Sequence, residues 1–334
     1  MTEFKAFRVN KNDEGVTHEI VQRSTDDLPS GDVLIRVSFS SVNYKDALSA
    51  KGLPGVTRHY PHTPGIDAAG IVVETSHEGF KEGDEIICIG FDLGMNTPGG
   101  FGEYIRVPGE WVTKLPAGLT LRESMILGTA GFTAALCLDK LERIGASPDD
   151  GPVVVTGATG GVGSVAVSLL AHAGYEVTAS SGKSDRVDYL KALGATTVID
   201  REALSRENPR PMLPTAYAHG VDTVGGMILS NVVRSLHYGG SVAICGLVAS
   251  PNFEITVLPF ILRGVNVLGV DSVELPIASK NLIWQRLAND WKLDSLARMT
   301  QETDLAGVSE AVDKIFRGDV TGRTLIKHDE ENPG

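Results

Sequence analysis

Cysteine is scarce in this chain, with three in 334 residues. Cys88, Cys137 and Cys245 lie far apart, so they offer neither a disulfide framework nor a CxxC metal knuckle. Each sits in an apolar run (EIICIG, AALCLD, VAICGL) and reads as a small buried hydrophobe. Positive charge is also short. Thirty Lys and Arg against 42 Asp and Glu leave a formal net charge of −12, which speaks against a nucleic-acid binder of the usual basic kind. Local cations can still hold an anionic ligand. No apolar run is long enough to span a bilayer. The opening residues, MTEFKAFRVNKNDEGV, alternate and carry charge, without the apolar core of a secretory signal. A cytoplasmic protein with no membrane and no nucleic-acid partner is expected.

What is present is enough chain for two domains sharing a cleft. The first third is a series of short alternating or apolar runs (FKAFRV, THEIVQR, DVLIRVSFS, AGIVVET, DEIICIG, EYIRVPGEWVTKL) separated by Gly/Pro turns, the texture of a compact β-barrel-like domain. After about Leu119 the pattern changes: LRESMILGTAGFTAALCLDKL has helical periodicity. From Pro152 strands then alternate with helices. Six apolar strands (PVVVTG, YEVTAS, TTVID, GVDTV, GSVAICG, VNVLGVD) predict an α/β, doubly wound parallel six-stranded sheet. Two further helical stretches follow, then a last strand, RTLIKH. That strand has no place in the completed sheet, so it is expected to return to the first domain. The boundaries are drawn at 1–126 with 274–334 for the discontinuous barrel domain and 127–273 for the sheet domain.

The most informative stretch runs Val153-Val154-Val155-Thr156-Gly157-Ala158-Thr159-Gly160-Gly161-Val162-Gly163-Ser164. A buried strand passes through a glycine-rich turn straight into an apolar helix. Such a turn lets the backbone approach a pyrophosphate, and the helix start presents N–H groups and the positive end of its dipole. The literal pattern is AxGxxG, which alone is weak. Its position at the first strand of a βαβ series gives it weight as a dinucleotide site, against a purely structural turn. The second strand ends Thr178-Ala179-Ser180-Ser181-Gly182-Lys183, with no carboxylate to accept from a ribose 2′-hydroxyl. Small residues and Lys183 suit a 2′-phosphate instead, the other reading being a solvated lysine. NADPH is the expected cofactor.

A zinc dehydrogenase would need Cys, His or carboxylate ligands in the barrel. Where a first cysteine would fall, the chain reads Ser40-Ser41-Val42-Asn43-Tyr44-Lys45-Asp46. Where a His-Glu pair would fall, it reads Pro64-Gly65-Ile66-Asp67. His59, His62 and Asp67 form no facing pair, so no metal is expected. Without a Lewis acid, hydride donation to an electrophilic alkene is easier than oxidation of a simple alcohol.

Several blocks together, NYKDAL, PGIDAAG, GTAGFTAALC, VTGATGGVGS, YLKALGA, LPFILRGVNVLGVDSV and GRTLIK, resemble the YhdH/YhfP-type quinone oxidoreductases. This zinc-free medium-chain dehydrogenase/reductase group includes the NADPH-dependent acrylyl-CoA reductases. The likeness runs nearly end to end. It implies a GroES-like barrel domain, a Rossmann domain, the nicotinamide in a cleft between them, and a homodimer built edge to edge on the GVNVLGVDSV strand. It places Tyr44 by the nicotinamide and the backbone from Gly161 to Ser164 on the pyrophosphate, beside Gly160. Ser181, Gly182 and Lys183 fall around the 2′-phosphate, Arg201 on the adenosine half, and Leu247, Ile261, Ser272 and Gly318 among the cofactor-lining positions. Gly318 stands where a relative has Asn. The loop Gly90–Gly100 lacks a Trp that relatives carry before the paired glycines.

The activity this implies is conjugate reduction of a small-molecule unsaturated thioester or ketone, with acrylyl-CoA the sharpest substrate expectation and quinone reduction its rival. A non-enzymatic NADPH-binding or RNA-binding role is the alternative of another class, and the acidic balance weighs against RNA. Tyr44 is the candidate catalytic residue, as a proton relay or as an aromatic packing on the nicotinamide. Arg58 and Arg263 are either phosphate partners for the CoA tail or solvated surface charges.

Overall fold

The computed structural model describes residues 1–328. The chain divides into two compact units, one of Met1–Thr129, Val273–Asn289 and the stretch from Leu296 onward, the other of Ala130–Ser272 with Asp290–Ser295. Residues 274–334, assigned whole to the barrel domain from sequence, are therefore interrupted. Ser295 Oγ lies 3.2 Å from Ser168 Oγ, and His172 Nε2 lies 2.9 Å from the Asp290 carbonyl. Those contacts tie Asp290–Ser295 to the helix after the glycine turn.

In the first unit, β1 (Glu3–Asn12) and β2 (Gly15–Ser24) form an antiparallel hairpin. Next come β3 (Val33–Val42), helix α1 (Tyr44–Ala50), β4 (Asp67–Thr75) and β5 (Glu85–Ile89). The run EYIRVPGEWVTKL is two strands, β6 (Tyr104–Val107) and β7 (Val112–Lys114), split by a 3-10 turn at Gly109–Trp111 that follows Pro108. Proline lacks the N–H needed to continue a ladder. Inward residues of these strands (Val33, Ile35, Val37, Ala68, Val72, Ile86, Cys88, Ile105, Val107) form one apolar core. Burial pushes the Cys88 thiol up to about 12, so it stays protonated and inert.

Helix α2 (Leu121–Arg143) is two helices joined at Gly128, where φ is 49° and ψ is −158°. It is long and apolar enough to cross a membrane by length and composition, a possibility the sequence reading had excluded. Of its most apolar 18-residue window, 89% is buried within the chain, as in the core helix of a folded protein.

The second unit alternates strand and helix: β8 (Val153–Val155), α3 (Gly161–His172), β9 (Val177–Ser181), α4 (Val187–Ala192), β10 (Thr197–Asp200), α5 (Glu202–Ser205), β11 (Tyr217–Asp222), α6 (Gly226–Arg234), β12 (Leu236–Ile244), α7 (Leu258–Arg263) and β13 (Asn266–Gly269). All six strands are parallel, in the order β10-β9-β8-β11-β12-β13. Parallel strands must be covered on both faces, so Val153, Val154 and Val155 are all fully buried, each contributing about 1.5–3 kcal/mol of apolar burial. The strand order reverses direction at β8, and ligands of such sheets bind beyond the carboxyl ends of the strands there.

The chain closes with α8 (Ile277–Ala288), β14 (Thr300–Thr303), α9 (Val308–Phe316) and β15 (Arg323–Lys327). As expected of RTLIKH, β15 returns to the first unit and pairs antiparallel with β3. The barrel sheet runs β14-β15-β3-β4-β5-β7, with β6 also on β3.

Candidate active site

The glycine turn has the geometry its chemistry requires. Gly157 has φ 59°, and a β-carbon there would stand 2.3 Å from Thr223 Oγ1. A β-carbon on Gly163 would stand 2.2 Å from the Gly157 carbonyl, so only glycine lets α3 pack on the turn. Gly160 caps α3, and the first helical bond runs from the Ser164 N–H to the Gly160 carbonyl at 2.9 Å. The amides of Gly161, Val162 and Gly163 thus have no intrahelical partner and lie at the positive end of the helix dipole, where an anion is favoured. Ser164 differs from its neighbours: its amide is engaged, its hydroxyl donates to the Gly160 carbonyl at 2.7 Å and accepts from Tyr189 at 3.0 Å.

Next to this turn, at the ends of β9 and β10, Ser181 accepts the Arg201 N–H on its carbonyl at 3.0 Å. The Ser181 hydroxyl accepts the Lys183 N–H at 3.1 Å and lies 3.2 Å from Thr159 Oγ1, joining the strand end to the glycine turn. The Arg201 side chain lies against Gly182, where a β-carbon would be 2.6 Å from Arg201 Nε. Glycine is needed here to admit a guanidinium. Asp185 is turned to Arg186 at 3.3 Å.

A carboxylate the sequence reading passed over organises this end of the sheet. Asp222, fully buried at the end of β11, accepts from Thr156 Oγ1 at 2.7 Å and from the amides of Gly225 and Val224 at 2.7 and 3.2 Å. Burial raises its carboxyl above the ordinary carboxylate range, against those three hydrogen bonds. The signal was a lone acid closing an apolar strand, GVDTV. Leu247 and Ile261 are 59% and 69% exposed, whereas Ser272 is buried and accepts from Thr133 Oγ1 at 2.9 Å.

In the first unit, Tyr44 begins α1 and is 37% exposed, its ring stacked on Phe316 at 6.4 Å between centroids. Gly318 follows α9 with φ 75°, and nothing lies within 4 Å of where its β-carbon would be. A left-handed residue after a helix is commonly Gly and sometimes Asn.

Residues of the 40–46 and 64–67 segments meet in a buried ionic cluster. Asp67 is fully buried and accepts from Ser41 Oγ at 2.6 Å, Asn43 Nδ2 at 2.7 Å, Thr129 Oγ1 at 2.5 Å and the Thr129 amide at 2.9 Å. Its counter-charge is Arg323, 3.8 Å away and 2% exposed. Arg323 also donates to the Ile126 carbonyl at 2.9 Å, Ser41 Oγ at 2.9 Å and Asn43 Oδ1 at 3.2 Å. A β-carbon on Gly128 would stand 2.4 Å from Asp67 Oδ2 and 2.5 Å from Ser41 Oγ. Four donors and a guanidinium already surround the carboxylate, so this set does not suit a divalent cation. Among the described residues no group of three or more His, Cys, Asp or Glu could hold a metal ion. Arg323 went unread in GRTLIK; an arginine on an otherwise buried strand was the available signal.

Asp46 completes the cluster. It accepts from the amides of Asn43, Gly65 and Ile66 at 2.8, 3.1 and 2.9 Å. Burial first, and then the charge of Asp67, push its carboxyl up to about 7 despite those donors. Asn43 and Asp46 therefore cap α1 and set where Tyr44 begins.

The chain is similar to known oxidoreductases along nearly its whole length. The alcohol dehydrogenase GroES-like domain model matches residues 29–117 and the zinc-binding dehydrogenase model residues 161–288. The acrylyl-CoA reductase AcuI of Ruegeria pomeroyi is 43% identical over 97% of this chain and 98% of its own. The putative quinone oxidoreductase YhfP of Bacillus subtilis is 44% identical over 98% of this chain and 99% of its own. Its structure with NAD bound superposes with a TM-score of 0.96, covering 98% of this chain and all of that one. The YhdH oxidoreductase of Salmonella enterica in complex with NADP gives 0.95 at 43% identity, covering 97% and 100%. Identity of this extent over nearly the whole of both chains makes the chain a member of the YhdH/YhfP-type oxidoreductase family.

Proposed function

We propose that this chain uses NADPH to reduce an activated carbon–carbon double bond, and that its substrate is acrylyl-CoA, converted to propionyl-CoA. The observation that carries the reading is 43% identity to an acrylyl-CoA reductase over nearly the whole of both chains. The donor set fits the cofactor. The amides of Gly161, Val162 and Gly163 would hold the pyrophosphate, and Lys183 and Arg201 the 2′-phosphate, with Gly182 making room. Leu247, Ile261, Ser272 and Gly318 are proposed to line the rest of its site, and Ser164 to orient the turn from within.

When bound, the cofactor supplies a hydride. That hydride would go to the β-carbon of the alkene, with charge growing on the thioester carbonyl oxygen and a proton going to the α-carbon. Hydrogen-bond donors directed at that oxygen lower the barrier. The Tyr44 phenol has no hydrogen-bond partner among the described residues while its ring is held by Phe316. It is therefore available to pack on the nicotinamide or to relay the proton. Arg58 is left for the CoA phosphates, because its guanidinium has no partner among the described residues. Arg263 is not, since it donates to the carbonyls of Leu213, Arg234 and Leu236 at 2.8, 2.9 and 3.2 Å.

A homodimer belongs to the same proposal. Strand β13 ends the parallel sheet, and Val257 and Leu262, shortly before it in the chain, are 65% and 60% exposed; unpaired edges and exposed apolar side chains favour self-association.

Turnover of acrylyl-CoA and of a benzoquinone, each with NADPH, tests the reading. Thioester reduction that exceeds quinone reduction in kcat/KM supports it, and absence of thioester turnover ends it. Quinone reduction is the second reading, favoured by 44% identity to the protein named a putative quinone oxidoreductase.

A further inference from the structure

Strand β5 leaves the barrel through two consecutive left-handed residues. Gly90 has φ 73° and Phe91 has φ 50°, and Phe91 is the one non-glycine residue with positive φ among the described residues. Glycine adopts that conformation freely, but an aromatic residue does so at a cost. Contacts beyond the local backbone must hold Phe91 there.

Those contacts converge on Lys280, in the first turn of α8. The residue is 1% exposed, and its ammonium lies 3.6 Å from the centroid of the Phe91 ring. The same ammonium donates to the carbonyls of Ile89 at 2.8 Å and Val273 at 2.9 Å. Val273 also accepts the Phe91 N–H at 3.1 Å. Trp111 stacks on the Phe91 ring at 5.6 Å and 9°. A β-carbon on Gly90 would stand 2.9 Å from both Lys280 Nζ and the Val273 carbonyl, so the cation packs against both left-handed residues. A desolvated ammonium survives only where carbonyls and a ring face replace its water.

What this clamp orients is the loop from Gly90 to Gly100. The loop is folded on itself by the Gly94 N–H on the Thr97 carbonyl at 2.8 Å and by Asp92, which accepts from Asn96 Nδ2 at 2.7 Å and Thr97 Oγ1 at 3.0 Å. Its tip reaches the start of α1. Met95 Sδ is 3.9 Å from Nζ of Lys45, the residue after Tyr44, and Asn96 Oδ1 accepts the Arg58 N–H at 3.1 Å. Backbone strain and a buried charge, both costly, thus serve the direction in which one loop leaves its strand. Strain concentrated at such a place is a mark of function.

We infer that Lys280 is a positioning residue. Its ammonium holds Phe91 left-handed, so that the loop tip lies against Lys45, next to Tyr44 in the chain, and against Arg58, and sets affinity for the electrophilic substrate, not for the dinucleotide. This rests on the proposed roles of Tyr44 in relaying the proton and of Arg58 in holding the CoA phosphates.

The test is K280M, which keeps length and removes charge, read by steady-state kinetics, NADPH titration and amide hydrogen exchange. KM for acrylyl-CoA should rise about tenfold, the order of one desolvated cation–π contact, with a smaller change in kcat. The dissociation constant for NADPH should stay within about twofold. The Gly94 and Thr97 amides should exchange faster. The double variant K280M/F91G should recover most of the KM and the protection, because glycine needs no clamp at this φ. Unchanged KM and exchange in K280M, or a double variant worse than K280M, overturns the inference. Should K280M fail to fold, F91A carries the test: it keeps the left-handed requirement and removes the ring, so wild-type exchange and KM in F91A would overturn it equally. If the wild-type protein reduces no thioester, the substrate proposal fails, while the exchange comparison still decides the role of Lys280.

Discussion

Replacing Arg323 by Met probes the buried cluster most directly. Two nearly unexposed charges 3.8 Å apart attract by about 4 kcal/mol at an effective dielectric of about 20. Met keeps much of the volume but removes the donors to the Ile126 carbonyl, Ser41 and Asn43. It also leaves the Asp67 carboxylate, with no exposed surface, without a counter-charge. Breaking one side of such a pair costs about 3–5 kcal/mol. Urea unfolding at neutral pH should therefore show R323M less stable by about that amount at an unchanged m-value. D67N should also destabilise, and the double variant D67N/R323M should be markedly more stable than the two single losses summed, since it buries no unpaired charge. A loss below about 1 kcal/mol in R323M, or strict additivity, would show that solvent or a shifted backbone already neutralises Asp67 and would refute this account of the cluster.

Gly128 borders the same cluster. G128A puts a methyl group into Asp67 and Ser41 at a left-handed φ, so a loss of about 3 kcal/mol or more, read by urea midpoint, is expected. Asp46 brings a pH dependence. Its carboxyl titrates near 7 in the fold against an ordinary 3.8, so the folded state keeps a proton that the unfolded chain loses. Stability should fall as pH rises across that window and level off above it, by on the order of 4 kcal/mol in total. D46N should flatten that slope in unfolding midpoints measured from pH 4 to 8, and an unchanged slope would assign the effect elsewhere. Cofactor choice should follow the cations beside Gly182. K183A and R201A should each lower the NADPH-over-NADH ratio in kcat/KM by roughly tenfold to a hundredfold, the strength of one charge-assisted hydrogen bond. NADH kinetics should barely change, and a parallel loss with both cofactors would show that these residues act on the fold.

What could be read along the chain was whatever depends on near neighbours. The six parallel strands, their helices and the glycine turn announced themselves because period, strand length and glycine placement are local consequences of backbone geometry. The return of β15 to the first unit was legible by elimination, since RTLIKH had no slot in the other sheet, but its pairing with β3 was not. Tertiary structure decided the rest. Arg323 meets Asp67 across 256 positions, and no local pattern marks two residues whose attraction exists only once both are desolvated. The division of α2 at Gly128 likewise went unmarked by the helical periodicity that runs through it, and only the fold shows Asp67 and Ser41 filling the space a side chain there would need. Arg263 shows the converse. Its sequence surroundings left it open as a phosphate ligand, but folding brings three carbonyls to its guanidinium. A charge acquires its role from what replaces its water, and only the assembled fold determines that.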